Sequence, residues 1–408
     1  FDAEEAMLSD APLLHDAFPN NVMCHAKLRH GDIEAGFGVA DEVIEEVFSS
    51  PVAQQASLET QVAAAQWQDH KLIVWTASQS PYTVRSVLAS IFGLDPEAVR
   101  IIVPPIGGGF GGKGNIRTQP MAAALAWKAG GRPVKLVMTR NEEFLTVTKH
   151  AAKISIKSGV KRDGTITARR VTIYWNVGAY ASSSAHLVPA GVLRSIGPYR
   201  IPAVHVDSYG VFTNLPIAAA YRGAMSSQGV FAHESHMDTI ACSLGLNPLA
   251  LRKKNLLCSG DNFATGEQME DIHFNECLQA AVDGINWNKP LQCGERATRK
   301  RGRGAAVMMK NTIANSSSEC RIELDVEGLV TLFVSTVEMG QGGHTAMAQI
   351  AADALSLPMG SIRVRGPDTA KTPPDSQTAS SRNTHMMGNA VINAASSMIH
   401  KLVSAAEP

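Results

Sequence analysis

The 408-residue sequence predicts an α+β fold in which helices pack against mixed sheets. Strand-like and helix-like patterns alternate between residues 71 and 138, which favours strands connected through helices. Two pairs of alternating apolar and polar runs flank the turn sequences Arg162-Asp163-Gly164 and Glu327-Gly328, and each pair predicts a hairpin. Several alanine-rich stretches have the apolar spacing of helices.

The predicted helices have recognisable starts or stops. The helix over residues 81–92 begins at Pro81, whose fixed φ suits a first helical turn, and it ends at Gly93. The alanine-rich helix over residues 120–128 is stopped by Gly130-Gly131. Further helices are predicted over residues 226–244 and 344–355, and a last one from about Gly388.

The predicted strands are either short apolar runs or runs of alternating polarity. Residues 99–103 are predicted as a short strand, and the apolar run that starts at Ile101 leads into a glycine-rich loop. The other strands are predicted over residues 71–76, 133–138, 153–157 and 166–174 and in both arms of 321–336.

The pattern changes along the chain predict three parts. Residues 1–30 are acidic and loosely patterned, and we interpret them as a lead-in or linker. A first domain is predicted over residues 31–285. The stretch 286–303 is rich in turn residues and basic near its end, so a second, incomplete domain is predicted over residues 286–408.

Composition excludes several classes of function. Thirty-seven Lys and Arg balance 37 Asp and Glu, which disfavours nucleic acid or an anionic membrane surface as a partner. No apolar run reaches the roughly 18 residues of a membrane span. The six cysteines form no C-x-x-C pair, and no leader with a charged and then an apolar part is visible. We therefore predict buried free thiols and a cytoplasmic protein, and we expect the five tryptophans to be core or partly buried.

The most informative segment is the glycine-rich loop over residues 107–112, which has glycine at five of six positions and Phe110 as the exception. Such a loop can bring backbone N–H groups directly against an anionic or metal-bound group. It also fits two generic nucleotide motifs, but Gly114 stands where a P-loop needs a hydroxyl, and Thr139-Arg140 stands where a dinucleotide fold needs an acid. A nucleotide-binding α/β enzyme remains an alternative.

Three further loops carry polar groups that suit a cofactor. Residues 338–345 place Gly-Gln-Gly-Gly ahead of a helix, which predicts free N–H groups at a helix N-terminus, or else a tight turn. Arg222 lies before a helix and could bind an anion or form a surface ion pair. Residues 367–383 are rich in hydroxyl groups. His233 and His236 share a predicted helix face, but their pattern fits no zinc-protease motif, and we do not predict a metal site there.

Taken together, these loops resemble the molybdenum-binding subunit of the xanthine dehydrogenase / aldehyde oxidoreductase family of molybdenum hydroxylases. Each motif is weak alone, but their order and spacing match over nearly the whole chain. The fold implied is that of the family's molybdopterin-binding domains. The matching stretches are residues 57–60, 76–79, 108–113, 220–223, 338–342 and 378–381.

The resemblance implies a set of site residues. The catalytic shell near the metal would be Gln79, Phe110 and Arg222. Molybdenum would be held through the pterin dithiolene, with no protein side chain as a direct metal ligand. The cofactor-binding residues would be Gly108, Gly109, Phe110, Gly111, Arg222, Gly340, Gln341, Gly342, Ser380 and Ser381.

The resemblance also implies an activity and its partners. The family hydroxylates an electron-poor carbon of a small molecule with water as the oxygen source. The cofactor expected here is molybdenum–molybdopterin, in its cytosine dinucleotide form. Electrons would leave through 2Fe-2S clusters and FAD, which we expect on an iron–sulfur subunit and an FAD subunit rather than in this chain.

The sequence departs from the family pattern at the catalytic base and at the purine contacts. The family's glutamate lies in a Gly-x-Gly-Glu segment, whereas Glu407-Pro408 lacks the glycines. We expect the base on a second molybdopterin subunit or elsewhere in a longer chain; the alternative is a non-catalytic cofactor-binding or assembly subunit, or a fragment inactive alone. Gly114, Ala190 and Ala224 stand where purine-oxidising members bind substrate. An aldehyde or another N-heteroaromatic is therefore expected instead of xanthine.

Overall fold

The computed structural model describes residues 1–291, 300–310 and 316–406. It contains two compact units that are discontinuous along the chain. The first unit comprises residues 1–53, 150–218 and 223–310, and the second unit comprises residues 54–149, 219–222 and 311–408. The predicted domains follow one another along the chain, whereas each of these units combines separate segments. The units therefore do not test the predicted domain boundaries, which stay a prediction.

The described residues form α-helices and β-strands numbered in chain order. The helices are α1 Ala3–Ala6, α2 Ile33–Gly38, α3 Pro81–Phe92, α4 Gln119–Lys128, α5 Arg140–Phe144, α6 Ser184–Arg194, α7 Ser226–Ser243, α8 Pro248–Asn255, α9 Phe274–Gly284, α10 Gly343–Leu355 and α11 Gly388–Ala406. The strands are β1 Val22–His30, β2 Glu42–Ser50, β3 Val62–Gln68, β4 Lys71–Thr76, β5 Val99–Ile102, β6 Val134–Val137, β7 Val147–Lys149, β8 Ala151–Val160, β9 Ile166–Gly178, β10 Val204–Phe212, β11 Ile217–Ala219, β12 Arg321–Leu324, β13 Val330–Phe333 and β14 Ile362–Arg365.

The first unit is built on a five-stranded sheet in the order β1-β10-β9-β8-β2. Strands β8 and β9 form the predicted hairpin, with Ile154 opposite Ile173, and β10 joins β9 in parallel. Apolar side chains of these strands are fully buried together with residues of α6 and α7, and Trp175 is the largest of them. Burial of this apolar face is the main stabilising contribution to the unit.

The second unit contains a four-stranded sheet in the order β5-β4-β3-β6. Strand β4 runs parallel to β5, and α3 connects them in a β–α–β arrangement. Leu72, Val74 and Ile101 are fully buried against Leu88 of α3 and Ala126 of α4. This packing fixes the two points from which the polar loops emerge, the end of β4 before Gln79 and the end of β5 before the glycine-rich loop.

The second unit also contains a three-stranded sheet in the order β12-β13-β14. β12 and β13 form the predicted hairpin, and β13 runs parallel to β14 with α10 between them in the chain. The carboxyl ends of β13 and β14 and the N-terminus of α10 therefore meet at one edge, which is where ligands bind in many sheets of parallel strands.

Most of the predicted elements are present, and the differences have physical reasons. Strands β1, β2 and β10 and helix α6 are among the elements that were not predicted. Helix α6 contains Pro189 and Gly191, which argue against a helix in the sequence, and the strands are not bounded by clear turn signals. The prediction of buried thiols is wrong for Cys242, Cys258 and Cys277, which are exposed, and Cys293 lies outside the described residues. The prediction for the tryptophans is wrong for Trp127, which is 64% exposed on α4.

Candidate functional site

The glycine-rich loop follows β5 in the second unit and contains left-handed backbone. Gly108, Phe110 and Gly111 have φ values of +86°, +53° and +98°. A Cβ at Gly111 would lie 2.5 Å from the Ala220 carbonyl oxygen, and one at Gly109 would lie 2.6 Å from Oε1 of Gln79. Close approach therefore requires glycine at positions 109 and 111, and at Gly111 the positive φ requires it as well.

Gln79 connects the glycine-rich loop to the hydroxyl-rich segment. Its Oε1 accepts the Gly111 N–H at 3.0 Å, and its Nε2 donates to the Thr378 carbonyl oxygen at 3.0 Å. Its backbone N–H donates to the Lys113 carbonyl oxygen at 2.8 Å, and its own carbonyl oxygen accepts the Thr378 N–H at 3.0 Å. The side chain is only 4% exposed, so these bonds hold it in one orientation.

Two backbone donors of the loop have no acceptor in the described part of the chain. The Gly108 N–H donates to Ile106, and the Gly112 N–H donates to Gly109, at 2.9 and 2.8 Å. Among the described residues, the N–H groups of Gly109 and Phe110 have no hydrogen-bond acceptor. Two successive free N–H groups on a left-handed loop are a ready site for an oxygen ligand or an anion.

Phe110 and Arg222 lie face to face beside these donors. The Arg222 guanidinium carbon is 4.6 Å from the centroid of the Phe110 ring, and the Arg222 N–H donates to the Phe110 carbonyl oxygen at 3.0 Å. The Phe110 ring is 37% exposed. In the part of the chain that the structure describes, the Arg222 guanidinium forms no ion pair, so its charge is available to a ligand.

Lys113 ends the loop, and its side chain has a structural partner. Its Nζ is 2.7 Å from Oε2 of Glu59, and the same oxygen accepts the Gly107 N–H at 3.0 Å. Burial lowers the pKa of the Lys113 ammonium, and Glu59 opposes that shift. The side chain is fully buried, so Lys113 is not presented to a phosphate as a P-loop lysine would be.

The dinucleotide alternative also fails on local structure. A dinucleotide-binding loop opens directly into a helix, whose N-terminus receives the pyrophosphate. Here the next helix, α4, begins only at Gln119.

The loop before α10 differs from the prediction of free N–H groups. The Glu338 carboxylate accepts the N–H groups of Gly340, Gly342 and His344 at 3.0 to 3.1 Å. Burial raises the pKa of Glu338, but these donors outweigh burial and leave the pKa below its usual range. The prediction was wrong for these three groups, because a carboxylate from the preceding strand end folds back over the helix N-terminus.

Gln341 lies in the same loop and stabilises it. Its Oε1 accepts the Met339 N–H at 2.7 Å, and its Nε2 donates to the Val337 carbonyl oxygen at 2.8 Å. The side chain is exposed, and Nε2 has a second hydrogen that this bond does not use. Gly340 and Gly342 have φ values of +95° and +74°, and no atom of the described residues lies within 4 Å of a hypothetical Cβ at either position, so there is space beside them.

Ser380 and Ser381 lie in a tight turn after Thr378. Both have positive φ values, +56° and +58°. Thr378 is held on Gln79 by two backbone bonds, and its Oγ1 accepts the Val337 N–H at 2.9 Å. The structure thus brings the turn into one hydrogen-bonded network with Gln79, and it brings Arg222 together with Phe110.

The predicted residues fit a large, polar, anionic cofactor with oxygen ligands. The free N–H groups of Gly109 and Phe110 suit an oxygen atom, and the Arg222 guanidinium suits a negative charge. Gln79 keeps one lone pair on Oε1 and one hydrogen on Nε2. No group of three or more His, Cys, Asp or Glu side chains that could hold a metal ion exists among the described residues.

Sequence reasoning did not anticipate the supporting roles of Glu59, Glu338 and Arg382. Asp375 and Arg382 are the only Asp, Glu, Lys or Arg residues between positions 372 and 384. Two isolated opposite charges in a hydroxyl-rich loop are a signal that could have predicted the ion pair that Asp375 and Arg382 form. His233 and His236, in the first unit, bond to Glu234 at 3.1 Å and to Glu46 at 2.7 Å.

Comparison with known proteins identifies the family. The sequence model of the molybdopterin cofactor-binding domain matches residues 14–256, and a second model with the same description matches residues 280–408. This chain belongs to the molybdenum hydroxylase family. Within that family, it is 33% identical to a probable xanthine dehydrogenase component of Bacillus subtilis over 95% of this chain and 52% of the relative.

Other molybdenum hydroxylase components are similar over the same range. The putative xanthine dehydrogenase molybdenum-binding subunit XdhA of Escherichia coli is 31% identical, with coverage of 98% of this chain and 54% of the relative. The aldehyde oxidoreductase of Desulfovibrio desulfuricans has a TM-score of 0.90 and 24% identity, with coverage of 98% of this chain and 45% of that chain. The chain spans about half the length of the curated relatives it matches.

These findings confirm the family resemblance and the mixed α+β fold of the molybdopterin-binding domains. They do not test the roles of individual residues. None of the helices in the described part of the chain is long and apolar enough to cross a membrane.

Proposed function

We propose that this chain holds the molybdenum–molybdopterin cofactor of a hydroxylase that oxidises an aldehyde or an N-heteroaromatic carbon. Water would supply the oxygen atom, and electrons would pass to iron–sulfur and FAD partners. One observation carries the proposal. The N–H groups of Gly109 and Phe110 have no acceptor among the described residues, and they lie beside the fixed amide of Gln79 and the Arg222 guanidinium, which forms no ion pair there.

The residues nearest the reacting centre would bind the oxygen ligands of the metal and orient the cofactor. The Gly109 and Phe110 N–H groups would donate to an oxygen ligand of the metal, and Gln79 would keep a donor and an acceptor close to it. When bound, the cofactor supplies a molybdenum centre able to take two electrons from a substrate carbon. Preorganised donors of this kind need no reorganisation when charge develops, which is their contribution to rate.

Phe110 and Arg222 would form a wall of the substrate site. The exposed ring face suits a flat, apolar or aromatic substrate, and the guanidinium keeps the ring in place by a cation–π contact. Gly114, Ala190 and Ala224 lack the polar and aromatic side chains that purine recognition needs. We therefore favour an aldehyde or an N-heteroaromatic other than xanthine.

The other two loops would hold the pterin. Gly340 and Gly342 leave space for the pterin beside their Cα atoms, and Gln341 can donate its second Nε2 hydrogen. Ser380 and Ser381 would line the same group with hydroxyls. Gln341 would thus have two roles: it stabilises its own loop through its existing bonds, and it would donate a further hydrogen bond to the cofactor.

A cavity in the second unit supports a nucleotide form of the cofactor, for which we propose the cytosine dinucleotide. It has a volume of about 570 Å³ and lies at the edge where β13, β14 and α10 meet. Arg365 and Lys371 line it and form no ion pair among the described residues, and Phe333 and Pro105 add apolar surface. The carboxylates of Asp368 and Glu338 line it as well, but Asp368 pairs with Arg100 and Glu338 accepts backbone N–H groups. Cations with an apolar wall suit a nucleotide, so mild acid hydrolysis of the extracted cofactor should release CMP; a pterin without nucleotide would contradict this form.

The catalytic base is expected outside this sequence. Oxidation of the substrate needs a carboxylate to take a proton, and the family places that glutamate in a segment that no part of this sequence matches. A second molybdopterin polypeptide, or another part of a longer chain, would supply it.

The proposal is tested by turnover of the natural protein, isolated with its partners, in H₂¹⁸O. Aromatic aldehydes and N-heteroaromatics are offered with an artificial electron acceptor. We expect one ¹⁸O atom in a hydroxylated N-heteroaromatic product, at least one in the carboxylate formed from an aldehyde, whose carbonyl oxygen also exchanges with water, and no turnover of xanthine. A native complex that contains the cofactor but turns over no member of either class would favour the non-catalytic binding or assembly subunit.

A further inference from the structure

The turn that contains Ser380 and Ser381 has an unfavourable backbone conformation. Its ends are closed by the Arg382 N–H, which donates to the Ala379 carbonyl oxygen at 3.2 Å. Both central residues have positive φ, the pattern of a type I′ turn, in which glycine and asparagine are the usual residues. A left-handed residue other than glycine costs roughly 1–2 kcal/mol, so two serines in sequence need support from outside the turn.

Support on the N-terminal side comes from Thr378. Its backbone is bonded to Gln79 in both directions at 3.0 Å, and its hydroxyl accepts the Val337 N–H. Thr378 is buried, so the turn starts from a fixed point beside the glycine-rich loop.

Support on the C-terminal side comes from Arg382, whose side chain is fully buried. An arginine has five N–H donors, and all five have acceptors here. Nε donates to Ser316 Oγ at 3.0 Å, Nη1 to Asp375 Oδ1 at 2.7 Å and to the Gln377 carbonyl oxygen at 2.8 Å, and Nη2 to the Ser317 carbonyl oxygen at 2.9 Å and to Ser318 Oγ at 2.7 Å.

The charge of Arg382 is balanced by Asp375. The carboxylate is 4% exposed, and its Oδ1 also accepts the hydroxyl of Ser318 at 2.7 Å. A buried ion pair contributes little net stability compared with apolar residues, and its better attested use is to impose one geometry. The geometry imposed here is that of residues 375–377, which precede the serine turn, and of residues 316–318, which are distant in the sequence and bond to Arg382.

We infer that Arg382 is a positioning residue that holds Ser380 and Ser381 in the conformation that receives the cofactor. The inference rests on the proposed function, because it needs the two serines to line the pterin. Arg382 itself, being fully buried, does not touch the cofactor. Its effect on binding passes through the turn.

The test is a double-mutant comparison in the natural full-length protein, isolated with its partners. The variants are Arg382→Met, Ser380→Ala with Ser381→Ala, and all three substitutions together. Arg363→Met is the matched control, because Arg363 is exposed on β14 of the same unit. Molybdenum and pterin retained per chain after prolonged gel filtration are measured, along with the circular dichroism spectrum.

Arg382→Met should reduce cofactor retention about tenfold, since the strained turn loses its anchor. The circular dichroism spectrum and the control should resemble the wild type. In the Ser380→Ala, Ser381→Ala background, the same substitution should add little further loss, because both changes act through one turn. Arg382→Lys should recover part of the retention by pairing with Asp375, but not all, because it lacks the guanidinium fork.

Two results would overturn the inference. One is wild-type retention in a folded Arg382→Met protein, and the other is an equal loss in the presence and absence of the serines. If Arg382→Met does not fold, Asp375→Asn replaces it. Asp375→Asn should likewise reduce cofactor retention in the wild type and add little further loss in the Ser380→Ala, Ser381→Ala background. A wild-type protein that contains neither molybdenum nor pterin would instead refute the proposed function.

Discussion

The side-chain oxygen of Gln79 accepts the Gly111 N–H at 3.0 Å, whereas the N–H groups of the two preceding residues, Gly109 and Phe110, have no acceptor among the described residues. The amide nitrogen of the same side chain donates to Thr378 at 3.0 Å. Gln79 therefore fixes the orientation of the glycine-rich loop, and it sets that loop relative to the serine turn within the second unit. This relationship makes the loop sensitive to substitutions that leave the sheet untouched.

Gly109→Ala should lower the molybdenum content while leaving the protein folded. The new Cβ would lie 2.6 Å from Gln79 Oε1, and that amide cannot move without losing its bonds to Gly111 and Thr378. Molybdenum per chain, measured by mass spectrometry of the metal, should fall about tenfold. Gly360→Ala, where no atom lies within 4 Å and φ is not positive, is the control; equal metal content in both variants would contradict the role of the loop.

Phe110→Ala should spare the cofactor and impair turnover. The ring is 37% exposed, so its loss removes little buried area, but it removes the flat wall beside Arg222. In the complete complex, we expect kcat/KM for an aromatic substrate to fall about tenfold or more. Phe144→Ala is the matched control, since this ring also lies under an arginine, at 5.7 Å from the Arg140 guanidinium carbon. Normal kinetics for Phe110→Ala would refute the assignment.

Gln341→Ala should lower cofactor occupancy. The substitution removes an amide that could bind the pterin, and it breaks the bonds from Met339 and to Val337 that hold the loop. Extracted pterin per chain should fall by about fivefold to tenfold, which corresponds to one lost hydrogen bond. The control is Gln349→Ala, on an exposed position of α10. If pterin content does not change, Gln341 has no part in binding.

The first unit should lose stability when the pH falls below about 6.5. Burial lowers the pKa of His150 to about 4, and its Nε2 bonds with Ser184 Oγ at 2.8 Å. Below pH 6.5 the unfolded chain binds a proton that the folded chain does not, so the free energy of unfolding decreases until about pH 4, by up to about 3 kcal/mol.

Denaturant titrations of wild type and His150→Gln over this pH range measure that effect. His150→Gln should be less sensitive to pH than the wild type, whereas the exposed-site control His400→Gln should retain the wild-type slope. Identical slopes for wild type and His150→Gln would show that His150 does not carry the effect.

Elements with local signals were predicted well. Pro81 and Gly93 mark the ends of α3, and both hairpins follow turn sequences whose glycines adopt positive φ, Gly164 at +86° and Gly328 at +80°. The order of the polar loops likewise identified the family. Strand β10 and helix α6 lack such signals, since their stability comes from partners far away in the chain.

Several contacts that shape the site are made by side chains that bond to residues outside their own sequence motif. A local sequence pattern therefore does not predict them. The Glu338 carboxylate accepts N–H groups that the glycine pattern predicted to be free, and the buried Lys113 ammonium pairs with Glu59. The bonds of Arg382 to residues 316–318 span more than 60 positions. A pattern within one loop cannot predict which distant carboxylate or hydroxyl will reach it.

The most direct test of the central claim is the molybdenum and pterin content per chain of the protein isolated with its native partners. We predict close to one molybdenum and one pterin per chain, with the pterin released only on denaturation. Reproducible absence of both from a well-folded native complex would contradict the account.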